Sequence, residues 1–286
     1  MTVAIVTDSA AALPADLAAL HHISVVPMWV TLDDASVHED EIPLAELLVH
    51  PHVSTSGPTP GEFATAIAAH RQGDDGVCVL TIAATMSGTY EAAVVGARTI
   101  GSDIRVVDTG TAAGAQALVV LAAADCAARG GTLDEVEAVA REAVARVRLV
   151  ASVPNLDHLV RSGRVPDLAG RAGRALGLAP LFEFRDGAAH VMRPARGLDA
   201  AIERMVARCR REARPGARVQ VVALHAQSPE AAEKLLARVE EELAPATAFV
   251  ASFGVVMVVH TGPGLIGLAW QWVPIDHPAK KGAAGQ

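Results

Sequence analysis

The feature that most constrains this chain is a unit repeated through its first half. A short apolar run rich in β-branched residues ends in a polar turn, and a helix-forming stretch follows. Residues 3–7 (Val-Ala-Ile-Val-Thr) lead into Asp8-Ser9, Ile23–Leu32 reads as a second strand, residues 77–82 lead toward Ser87, and residues 104–107 end in Asp108-Thr109-Gly110. Helical patterns fall between these runs, at about 13–21, 59–71, 87–99, 111–129 and 132–147. Two of them open on capping boxes, Thr59-Pro60-Gly61-Glu62 and Thr132-Leu133-Asp134-Glu135, in which the threonine hydroxyl and the glutamate each satisfy a free amide. Strands alternating with helices imply a parallel sheet covered on both faces.

Beyond Leu149 the texture changes. Arginine and glycine rise, and apolar runs at 178–184, 189–193, 219–225, 248–252 and 255–260 lie close together. Helices fit 198–213 and 229–243, the second with Ser228 as N-cap. The expectation is an α/β protein of two α/β domains. Residues 1–150 carry a parallel sheet between helices, and residues 151–286 a mixed sheet packed on helices.

Aromatic residues make up only 3% of the 286, so the core must come from alanine, valine, leucine and isoleucine. That also argues against nucleic-acid binding by base stacking. The net charge of −8 is unevenly spread: Arg146 to Arg218 holds 15 basic residues against 7 acidic, a stretch suited to an anion or an acidic partner. Cys78, Cys126 and Cys209 are far apart and form no CxxC, which fits a reducing, cytoplasmic setting. The first residues read as a strand, not a secretory leader. The apolar stretches 112–128 and 249–270 carry Gln116, Asp125, His260 and Pro263, and neither suits a bilayer helix.

Several routes to chemistry are closed. Residues 1–233 contain no lysine, which excludes a P-loop and a kinase-type strand lysine there. Gly262-Pro263-Gly264-Leu265-Ile266-Gly267 matches GxGxxG, but too little chain follows it for a dinucleotide-binding unit. There is no GxSxG nucleophile elbow and no HExxH.

Four polar clusters remain, at strand ends or helix starts, where α/β proteins bind ligands. They are Asp8-Ser9, the segment 54–60, Met86-Ser87-Gly88-Thr89-Tyr90, and His260-Thr261-Gly262-Pro263-Gly264, which closes an expected strand. Ser87 reads as an N-cap, with the amides of Gly88 and Thr89 free for an anion.

This ordered set resembles the DegV family, which includes the fatty-acid-binding subunits of bacterial fatty acid kinase. The resemblance runs through Thr7-Asp8-Ser9, Thr55-Ser56-Gly57-Pro58-Thr59-Pro60-Gly61-Glu62-Phe63, Ser87-Gly88-Thr89-Tyr90 and Val106-Val107-Asp108-Thr109. It continues through Asn155-Leu156-Asp157-His158-Leu159, Arg161-Ser162-Gly163-Arg164 and the His260 motif. Gly57 departs from it, standing where glutamine is common.

The resemblance implies a long-chain fatty acid buried near the junction of the domains. Its carboxylate would be held by Thr55, Ser87 and Gly88, with Ser56 adjacent and His260 closing the polar end. Asp8, Ser9, Arg164 and Arg196 become candidates for head-group or partner contact. It implies no catalytic residue, no metal and no cofactor. The partner would be a separate ATP-binding kinase that phosphorylates the bound carboxylate, with transient contact at a membrane surface for lipid exchange. Two other readings of the residues stay open: an acyl hydrolase using Ser87 and His260 with Asp8, and a module for another small anion.

Overall fold

In the computed structural model, which describes residues 3–33, 35–50, 52–70, 76–163, 178–185 and 187–275, two large β-sheets share one helix between them. The first half runs β1 (Ala4–Asp8), α1 (Ala15–Leu20), β2 (Ile23–Val26), β3 (Trp29–Leu32), β4 (Ala35–His38), α2 (Leu44–Val49), β5 (Val53–Ser56), α3 (Pro60–Ala68), β6 (Val77–Thr81), α4 (Thr89–Ile100), β7 (Ile104–Asp108), α5 (Ala113–Ala128) and α6 (Leu133–Arg146). The second half runs β8 (Arg148–Ser152), α7 (Asp157–Ser162), β9 (Leu178–Arg185), β10 (Ala188–Arg196), α8 (Gly197–Arg210), β11 (Ala217–His225), α9 (Pro229–Leu243), β12 (Thr247–Ser252), α10 (Val255–Thr261) and β13 (Ile266–Pro274).

The first sheet is parallel, in the order β2-β1-β6-β7. β1 and β6 are buried along their whole length, as strands covered on both faces must be. Phe63 and Ile67 of α3 and Ala93 and Ala97 of α4 pack on one face, against Val6 and Val79. Leu118 of α5 and Val136 of α6 join Ile5 and Leu80 in the core on the other.

The second sheet is mixed, in the order β10-β9-β8-β13-β11-β12, with only β11 and β12 parallel. α8 and α9 cover its outer face through Met205, Val206, Leu235 and Val239. Its inner face meets α5, which therefore packs against both sheets. That position explains why α5 is apolar all round. At Gly114 a Cβ would lie 2.8 Å from the Cβ of Val222, so glycine sets how closely α5 approaches the second sheet. Among the described residues, no helix is long and apolar enough to cross a membrane.

The α/β architecture follows the sequence expectation, and both capping boxes form. Four local readings need correction. The run 23–32 is two strands, broken at Pro27, and β3 leaves the parallel sheet to form a small antiparallel sheet, β4-β3-β5. The segment before α3, expected only as a polar cluster ahead of a helix, supplies β5. Residues 255–260, expected as a strand, form the helix α10: Gly254 interrupts the run, and the buried side of the helix takes Val256, Met257 and Val258. β propensity yields here to tertiary burial. The N-cap of α4 is Gly88, not Ser87, whose hydroxyl bonds the side chain of Thr89 instead.

Candidate functional site

Five chain segments meet at a narrow cavity of about 70 Å³. The link between β2 and β3 brings Met28, and the end of β5 brings Thr55, Ser56 and Gly57. The turn after β6 brings Ile82, Met86 and Ser87, α7 brings Leu159 and Ser162, and α10 brings Val256, Met257, His260 and Thr261. Helical spacing explains the α10 set, since residues 256, 257, 260 and 261 fall on one face. Thr55 shares its face of β5 with Val53, and both are partly buried, whereas Ser54 and Ser56 are exposed.

The lining has two chemistries. Met28, Ile82, Met86, Leu159, Val256 and Met257 are aliphatic or thioether surface. Thr55, Ser56, Ser87, Ser162, His260 and Thr261 are hydroxyls and an imidazole. Thr55, Ser162 and His260 also line an adjoining groove of about 510 Å³, whose other walls include His50, His158 and Arg161. Thr55, Ser162 and His260 therefore stand where the apolar cavity meets a more polar groove.

One contact closes this boundary. The Thr55 Oγ1 and the His260 Nε2 lie 2.7 Å apart, joining β5 to α10 across 205 positions of sequence. The second hydroxyl pair is Ser87 Oγ and Thr89 Oγ1, also 2.7 Å apart. Gly57 permits their closeness to β5, because a Cβ there would fall 2.4 Å from Thr89 Oγ1 and 3.3 Å from Ser87 Oγ. The first amides of α4 have no partner within the helix.

Thr55, Ser56, Ser87 and His260 thus come together at one cavity. Gly88 is adjacent in the chain but is not part of the lining. Asp8 and Ser9 lie behind the wall and do not reach the cavity surface. Asp8 is fully buried and accepts hydrogen bonds from the amides of Ala10 (3.0 Å) and Ile82 (2.8 Å). Burial pushes its carboxyl up to about 6, against those hydrogen bonds and with help from the charge of Glu39. Ser9 accepts from the amide of Met28 at 3.0 Å. Both therefore hold backbone that lines the cavity, at Met28 and Ile82. Arg196 ends β10, exposed, and does not line the cavity. Arg164 lies outside the described residues.

The hydrolase geometry is not assembled. Ser87 is bonded to Thr89, His260 to Thr55, and Asp8 to backbone amides, whereas a triad needs them bonded to one another. Among the described residues, no group of three His, Cys, Asp or Glu could hold a metal ion.

Sequence reasoning passed over Met28, Ile82, Val256 and Met257, which look like ordinary core residues. Leu159, Ser162, Met86 and Thr261 sit inside motifs that were legible, but nothing in the residues alone marks them as cavity wall.

Comparison with known proteins follows the same lines. The model of the DegV family, whose description is of uncharacterised proteins, matches residues 2–272. A DegV domain-containing protein of Streptomyces coelicolor is 38% identical over 273 residues, spanning 93% of this chain and 97% of that one. The crystal structure of a DegV lipid-binding protein from Thermotoga maritima superposes with a TM-score of 0.87 at 25% identity, covering 96% of this chain and 100% of the other. A fatty-acid-binding DegV family protein from Thermus thermophilus does so with a TM-score of 0.87 at 28% identity and the same coverage.

Proposed function

The chain belongs to the DegV family, and from that premise we propose that its cavity takes a long-chain fatty acid whose carboxylate lies at Thr55, Ser87 and His260. The observation that carries the reading is the Thr55–His260 contact, set at the boundary between an apolar cavity and a polar groove. An amphiphile with one ionised end fits such a boundary. Each methylene taken from water contributes roughly 0.8 kcal/mol. The carboxylate, carried inward, must find hydrogen bonds, and hydroxyls, an imidazole and helix amides supply them. Ser56 lines the same cavity, and Gly88 follows Ser87 in the chain. Relatives that bind fatty acid or lipid support the same ligand class.

The cavity is narrower than an acyl chain requires, and three of its walls are methionines. Met28, Met86 and Met257 are unbranched and adaptable, so rotation of these side chains widens it at small cost. The proposal extends to presentation. The carboxylate end faces the groove of His50, His158 and Arg161, from which a separate ATP-dependent kinase would reach it. The chain is then the lipid-binding partner and the kinase supplies the phosphoryl group.

Purified protein should carry long-chain fatty acid, released by denaturation and identified by mass spectrometry of the extract. Protein that holds no lipid and also fails to bind added palmitate would overturn the reading.

A further inference from the structure

We propose that Glu39 is a positioning residue for this cavity: a buried carboxylate latch that holds α10, and with it His260, against the rest of the wall. The residue follows β4 and is only 7% exposed. Its Oε2 accepts a hydrogen bond from the amide of Val256 at 2.9 Å, and its Oε1 accepts from the hydroxyl of Ser9. The same hydroxyl accepts from the amide of Met28 at 3.0 Å, and the amide of Glu39 donates to the carbonyl of Met28 at 3.0 Å. A closed web thus ties Met28 and Val256, two residues of the cavity wall, through one carboxylate.

α10 has no side-chain cap of its own, since Gly254 stands at that position. That glycine makes room for the latch, because a Cβ on it would lie 2.6 Å from Glu39 Oε2. Among the described residues, no Arg, Lys or His pairs with Glu39. The charges acting with it are Asp40 beside it in the chain and Asp8 behind the wall, all negative. Burial raises the Glu39 carboxyl above its ordinary range, against the hydrogen bonds from Ser9, Val256 and Met28. Protonation weakens an acceptor, so the hold on α10 loosens as pH falls through that titration.

This positioning role rests on the cavity described above, but its test does not depend on what the cavity binds. Amide hydrogen exchange of α10 is compared in the unmodified protein, Glu39→Gln and Gly254→Ala, each checked for folding by circular dichroism, from neutral pH down into the ordinary carboxylate range. Gly254→Ala should lower protection of the Val256–His260 amides about tenfold at neutral pH, with Glu39 still present. Protection in the unmodified protein should fall as pH is lowered, after correction for intrinsic exchange, and Glu39→Gln should flatten that dependence. Full α10 protection in folded Gly254→Ala, or the same pH dependence in Glu39→Gln, would overturn the latch. The rate at which palmitate leaves should rise in parallel. A protein that binds no palmitate but shows the exchange pattern would retain the latch and reject only the lipid.

Discussion

At position 57 a single hydrogen in place of a side chain decides how close β5 comes to the start of α4. Thr89 is fully buried and cannot yield to a methyl group at 2.4 Å. Gly57→Ala should therefore displace the Ser87–Thr89 pair and destabilise the fold by about 1–3 kcal/mol, read as a lower urea midpoint, with weaker palmitate binding. Asp8 gives a second prediction. Its carboxyl lies at about 6 against an ordinary 3.8, so the folded state binds the proton more tightly than the unfolded chain. The stabilisation this brings is fully present below pH 3.8 and is lost as pH rises through 6, on the order of 3 kcal/mol. The Asp8 carboxyl carbon should titrate near pH 6 by NMR, and Asp8→Asn should lack that slope. Glu62 works in the other direction. Burial raises it, but hydrogen bonds from Thr59, Trp29 and His38 outweigh burial and hold it at about 2, so its contribution is lost as pH falls below the ordinary carboxylate range toward 2. Hydroxyl and imidazole positions such as Thr55, Ser87 and His260 were legible because polar residues at element ends ask for an explanation. Met28 and Met257 were not, because a cavity wall and a packed core use the same side chains.

Among the elements, those with local stop and start signals were read well. The Thr59 and Thr132 capping boxes form as the spacing predicts. Thr132→Ala should cost roughly 1 kcal/mol in urea unfolding, without effect on the cavity, since it sits at an exposed helix start. At α10 the local sequence points to a strand, for a physical reason. Val-Val-Met-Val-Val favours a strand locally, and the acceptor that holds its first turn, Glu39, lies 217 positions away. The small sheet β4-β3-β5 was missed similarly, since its strands are four residues each and pair out of chain order.

On the scale of the molecule, α5 is the shared wall of two sheets, and the core around it includes Ile5 of the first and Leu224 of the second. The expected domain boundary at residue 150 falls inside β8, whose partners β9 and β13 belong to the second sheet. The cavity draws on both halves of the chain. The most direct test of the central claim uses palmitate labelled with carbon-13 at the carboxyl. Its carboxyl resonance in the bound state should shift in Thr55→Val and in His260→Ala, while Lys234→Ala, on the outer helix α9, leaves it unchanged. A bound resonance indifferent to Thr55 and His260, or no bound resonance at all, would contradict a carboxylate held between β5 and α10.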